Sequence, residues 1–147
     1  MEIDIKAVKK EFVGLRFDET TFKMKSERIA AFATGCGETE ARFIDPDDSD
    51  FQAVPNYATS FHGRRNLPEH FPVDIRRSFD AGKCCESLAP IRPGDTITGS
   101  SHIHDIYEKT GRSGPMMFVV HRMEFTNQAD TLVAIVDWRM VIRLGEM

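Results

Sequence analysis

Long apolar runs are absent. No hydrophobic stretch approaches the roughly 20 residues that span a bilayer, and the opening Met1-Glu2-Ile3-Asp4 has no signal-peptide core. Excess positive charge is absent too. The 19 Lys and Arg are outnumbered by 23 Asp and Glu, for a net charge of −4 and a pI near 5.7. That balance argues against bulk attraction to nucleic acid or an anionic membrane. Cysteine is scarce. Cys36, Cys84 and Cys85 form no metal-ligand spacing, and adjacent cysteines rarely pair with each other. A reduced, cytoplasmic protein is the expectation, with Cys84 and Cys85 as packing residues. Repeats and low-complexity tracts are also missing, so residues 1–147 read as one domain, long enough to bury a core without staples.

What is present is strongest in the last third. From Leu132 to Arg143, Leu132, Ala134, Val136, Trp138, Met140 and Ile142 alternate with a mixed set, as a strand with one buried face requires. Met116 to Thr126 reads as a second strand, apolar on both faces through Val120 and therefore expected under cover on both sides. Asp95 to Glu108 reads as a third, more polar strand. Gly111-Arg112-Ser113-Gly114 and Asn127-Gln128-Ala129-Asp130 supply the two turns.

Upstream the signals weaken. Met1 to Lys10 suits a short helix or a frayed lead, and Phe12-Val13-Gly14-Leu15 an entry loop. Thr21 to Lys25 alternates like a short strand, and Ser26 is placed to cap a helix whose Ile29, Phe32 and Ala33 share a face before Gly35. Pro55-Asn56 opens a helical stretch through Tyr57, Ala58, Phe61 and His62, which Gly63, Pro68 and Pro72 interrupt. A helical piece at Val73–Phe79 and a strand at Lys83–Leu88 complete an α+β pattern.

Phe32-Ala33 with Gly37-Glu38, Pro90-Ile91-Arg92-Pro93-Gly94-Asp95, the Tyr107 to Arg112 turn and Thr126-Asn127-Gln128 together resemble the MaoC-like dehydratases, in particular their N-terminal, non-catalytic type of domain. The resemblance runs from about Gly14 to Arg143. It implies a hot-dog fold, an antiparallel sheet wrapped around a central helix that is here shortened or broken. It implies enoyl-thioester hydration or 3-hydroxyacyl-thioester dehydration on coenzyme A or acyl carrier protein, with no other cofactor.

In active members of that family an Asp, an Asn two residues on and a His five residues after the Asp share the proton work on water. The matching positions here are Glu38, Glu40 and Phe43. Phe43 cannot move a proton, so the resemblance leaves Glu38 as the catalytic candidate, and His62, near the start of the helical stretch, suits either a replacement base or a surface or partner-facing histidine. The implied role is the substrate-accommodating half of a hydratase, working as a homodimer or as a heterodimer with a catalytic MaoC-like subunit. The alternative is an acyl-coenzyme A-binding or thioesterase-type homo-oligomer.

Four residues are candidates for substrate contact. Tyr57 and Phe61, one helical turn apart, suit either a core or an acyl pocket. Arg64 and Arg65 suit either solvent or the phosphates of coenzyme A, which Arg binds with a bidentate fork. His102 and His104 share a strand face, but no third ligand is placed beside them. A solvated sheet face is therefore expected there, and no metal.

Overall fold

The computed structural model describes residues 3–61 and 66–144. Helix α1 (Ile5–Phe12) opens the chain, with the Asp4 side chain accepting hydrogen bonds from the Lys6 and Ala7 amides. Strand β1 (Arg16–Lys23), helix α2 (Ser26–Gly35) and the single turn α3 (Ala41–Ile44) follow. Two short 3₁₀ helices, Tyr57–Phe61 and Ile75–Arg77, precede β2 (Ser78–Ser87), β3 (Thr96–Gly111), β4 (Gly114–Thr126) and β5 (Leu132–Arg143).

The five strands form one antiparallel sheet in the order β1-β3-β4-β5-β2. The expected meander of β3, β4 and β5 is its centre. At the β4–β5 turn the Asn127 carboxamide accepts from the Ala129 and Thr131 amides, and Asp130 takes the left-handed backbone (φ 58°) that Asp tolerates. Period-2 alternation carries Met117, Val119, His121, Met123 and Phe125 of β4 to one face, opposite Ile142, Met140, Trp138, Val136 and Ala134 of β5.

That face is filled from two directions. At one end α1 and the segment from Leu67 to Ile75 cover Ile103, Ile106, Met117, Val119, Trp138, Met140 and Ile142. At the other, α2, α3, residues 51–54 and the Tyr57–Phe61 turn cover Ile97, Met123, Phe125 and Val136. Gly99 belongs to this packing. A Cβ there would stand 2.8 Å from both the Met123 methyl and the Phe125 ring, so its absence lets those side chains lie flat across β3.

Several elements differ from expectation. Lys25, not Ser26, occupies the N-cap of α2, and no side chain caps it. The Val73–Phe79 helix reduces to Ile75–Arg77, capped by Asp74, because Phe79 is taken into the ladder opposite Val141. Strand β2 accordingly starts earlier than Lys83, with an irregularity between Asp80 and Lys83 where the Asp80 carboxylate accepts from the Gly82 amide. Likewise β1 starts at Arg16, because its pairing with β3 outweighs its weak alternation. The outer face of β4 is less covered than expected. Met116 and Phe118 are half-buried, with Tyr107 stacked on Phe118 at 5.1 Å and Lys109 above both rings.

Candidate functional site

The stretch between β1 and β2 determines what the sheet encloses at its wider end. After Pro55 the described backbone makes the 3₁₀ helix Tyr57–Phe61, which turns three buried side chains, Tyr57, Ala58 and Phe61, onto the sheet. Ser60 Oγ donates to the Tyr57 carbonyl, and Thr59 Oγ1 donates to the Asn56 carbonyl, which also accepts from the Thr59 amide. The Phe61 ring stands 4.8 Å from Tyr57 and 5.9 Å from Phe125, and Phe32 meets Tyr57 edge-on at 5.2 Å.

A cavity of about 600 Å³ lies between this turn, the end of β1 and the first turns of α2. Its apolar lining is Phe22, Met24, Phe32, Tyr57 and Phe61. Lys23, Lys25 and Arg28 line it as well, all three exposed, and no acidic residue does. Burial pushes the Tyr57 phenol up, and the nearby Arg28 charge offsets part of that rise. A second, smaller cavity of about 280 Å³ lies between α3 and residues 87–91, with Arg42, Phe43, Pro55 and Leu88 in its walls.

The positions matching the dehydratase motif hold no catalytic pair. Glu38 is half-buried and its carboxylate accepts from the Thr39 and Glu40 amides at 2.9 and 3.2 Å, so it secures its own turn. Glu40 pairs with Arg42 at 2.8 Å. Phe43 is buried in the core, with the Arg42 guanidinium 4.5 Å from its ring centroid. His62, Arg64 and Arg65 lie outside the described residues. Sequence reasoning thus reached Tyr57 and Phe61 but missed the three cations around them. Lys23 and Lys25 read as the polar side of a strand and Arg28 as the wet side of a helix, and only the fold brings them to one cavity.

The outer face of the sheet around His102 and His104 is a polar surface, with His104 exposed. Arg122 binds Asp137 through two hydrogen bonds of 2.8 and 2.9 Å. Burial pushes the Asp137 carboxyl up, but those bonds and the Arg122 charge outweigh it and hold the group below the usual carboxylate value. Arg16 reaches Ser100 and Glu124 beside them. His102 is half-buried in this setting and its ring lies 5.9 Å from that of His104. Burial holds His102 below its ordinary value, and Arg16, His104 and Arg122 add to that against the pull of Glu124. Among the described residues no three His, Cys, Asp or Glu side chains are placed to hold a metal ion, and no helix is long and apolar enough to cross a membrane. Cys36, Cys84 and Cys85 are all free thiols.

Residues 11–136 match the family described as "FAS1-like, dehydratase domain region". The chain belongs to this family. Membership in the FAS1-like dehydratases makes it a hot-dog protein of the hydratase and dehydratase group, and solved structures agree on the fold. The MaoC-like dehydratase from Rhodospirillum rubrum is similar over 92% of this chain and 94% of its own, with 20% identity and a TM-score of 0.65. The HadBC (3R-hydroxyacyl-ACP dehydratase) complex from Mycobacterium tuberculosis gives 18% identity, 96% and 99% coverage and a TM-score of 0.66. The ChsH1-ChsH2 complex from the same organism gives 13%, 97%, 91% and 0.69. No curated protein matches the chain in sequence.

Proposed function

We propose that this FAS1-like dehydratase chain is the substrate-accommodating subunit of an enoyl-thioester hydratase or 3-hydroxyacyl-thioester dehydratase. Its partner, a MaoC-like subunit, carries the Asp and His that do the proton work. The observation that carries this reading is the state of the motif positions. Phe43 has no group that can move a proton, and the Glu38 carboxylate is engaged by the amides of its own turn. The aromatic cavity beside the Tyr57–Phe61 turn supports the accommodating role, because its volume falls in the range of small-molecule sites. Two of the structures similar to this chain are complexes named for two proteins.

On this reading Tyr57 and Phe61 contact the acyl group, Arg64 and Arg65 serve the nucleotide phosphates when the carrier is coenzyme A, and no further cofactor is needed. The test follows the enoyl-thioester ultraviolet absorbance with the purified chain, alone and together with candidate catalytic partners. Negligible turnover alone and hydration in the mixture is the expected result. Hydration by the chain alone at ordinary enzymatic rates overturns it and makes Glu38 or His62 the base. Hydrolysis of acyl-coenzyme A by the chain alone instead establishes the thioesterase-type homo-oligomer.

A further inference from the structure

The cavity beside the Tyr57–Phe61 turn is unusual in its charge. The chain as a whole is acidic, with a net charge of −4, yet this lining holds three cations and no acid. Lys23, Lys25 and Arg28 lie within the eleven residues from Phe22 to Phe32, and the aromatic floor is completed by Tyr57 and Phe61 from the far turn. Among the described residues none of the three cationic side chains makes a hydrogen bond or an ion pair, although other exposed basic groups do, such as Lys9 with Asp105 and Arg92 with Asp50. Three like charges converging without counter-charge repel one another, and an anion placed among them relieves that repulsion.

The arrangement is graded. Phe61 and Tyr57 are buried and Phe22 and Phe32 half-buried, whereas Lys23, Lys25 and Arg28 are exposed at the rim. A ligand matching this gradient has an apolar end that goes in and an anionic end that remains at the water boundary. In an acyl thioester the apolar end is the acyl chain and the anionic end is the phosphate of the carrier arm. A free fatty acid fits less well, since its single carboxylate offers one charge to three cations.

We infer that Lys23, Lys25 and Arg28 form the phosphate-recognising rim of the acyl-thioester cavity, reading a phosphopantetheine-borne phosphate while Phe22, Phe32, Tyr57 and Phe61 take the acyl chain. This rests on the thioester reading above and assigns the anion to three residues that no motif indicated. Arg28 contributes a forked donor and the two lysines contribute compact charge, a combination suited to a phosphate diester or monoester.

The experiment is calorimetry on the purified chain with trans-2-octenoyl esters of coenzyme A, of 4′-phosphopantetheine and of pantetheine. The phosphate-bearing esters are expected to bind about tenfold or more tightly than the uncharged pantetheine ester, an advantage that added salt erodes. A Lys23→Ala, Lys25→Ala double variant and a separate Arg28→Gln variant should each remove most of that advantage and leave pantetheine-ester binding unchanged. Equal binding of coenzyme A and phosphopantetheine esters identifies the phosphate next to pantetheine as the group read, and tighter binding of coenzyme A identifies its nucleotide phosphates. The inference is overturned if the pantetheine ester binds as tightly as the others, or if both variants keep the wild-type preference; the thioester reading survives either result. If none of the three esters binds, the thioester reading falls, and the inference with it.

Discussion

Phe22 and Phe61 lie nearly parallel, with ring centroids 5.1 Å apart and planes inclined by 23°, so a turn from the middle of the chain closes against the first edge strand. Phe61 also meets Tyr57 and Phe125, which makes it the contact through which β1, the turn and β4 hold together. Phe61→Ala should therefore destabilise the protein by about 3 kcal/mol, measured as a shift in urea midpoint. Phe61→Leu, which keeps part of the volume, should cost less. Equal small losses for both would show that this contact does not support the core.

Rebuilding the family's motif at position 43 should damage the protein before it helps it. Phe43 is buried, and an imidazole there loses the aromatic packing and gains two polar nitrogens that need partners. Phe43→His is expected to lower stability by about 2–3 kcal/mol and to leave enoyl-thioester hydration by the chain alone negligible. A measurable hydration rate from a stably folded Phe43→His chain would mean that this side chain swings out to the solvent.

Acid should weaken the fold through His102. Its folded value is held below the ordinary 6.5, so the unfolded chain takes up the proton more readily. The sign follows: the contribution is complete above pH 6.5 and is lost as pH falls from there through the depressed folded value. Thermal melting between pH 7.5 and 5 should show a decline that is shallower in His102→Gln. Identical pH profiles for the two proteins would assign the decline to other groups.

Assembly should involve the β2 edge. Almost all of β2 is exposed, including Phe79 at 55%, and an exposed edge strand invites pairing with another strand. In the absence of another subunit the chain is expected to scatter light as a dimer, twice its 16.7 kDa, with the two sheets joined along β2. Phe79→Glu should shift it toward monomer. A monomer at tens of micromolar would remove the edge as an interface.

The central meander was legible because each strand carries period-2 alternation and each turn carries Asn, Asp or Gly, so local signals agree with the tertiary outcome. Strands β1 and β2 were only partly legible. Phe79 read as helical because Val73, Ile75 and Arg76 around it suit a helix, and only pairing with Val141 shows otherwise. Tyr57 and Phe61 were legible as neighbours from their spacing, whereas the cations that line the same cavity were not. Lys23 and Lys25 flank Met24 as any strand's polar side flanks its apolar side. The one available cue was Arg28 a helical turn beyond them, which concentrates three positive charges within six residues of an acidic chain.

The strand order carries a consequence for how the molecule assembles. Strands β3, β4 and β5 follow one another through tight turns and can pair as soon as they are made. The flanking strands must wait for long loops to close: Thr21 meets Thr98 across 77 residues of chain. The outer strands are thus the last to join and the first to detach, and amide hydrogen exchange should be fastest there. Strand β1 ends at Lys23, one of the three proposed rim cations, and β2 is the exposed edge on which the dimer prediction rests. If both proposals hold, the parts of this protein that meet other molecules are the ones its folding commits latest.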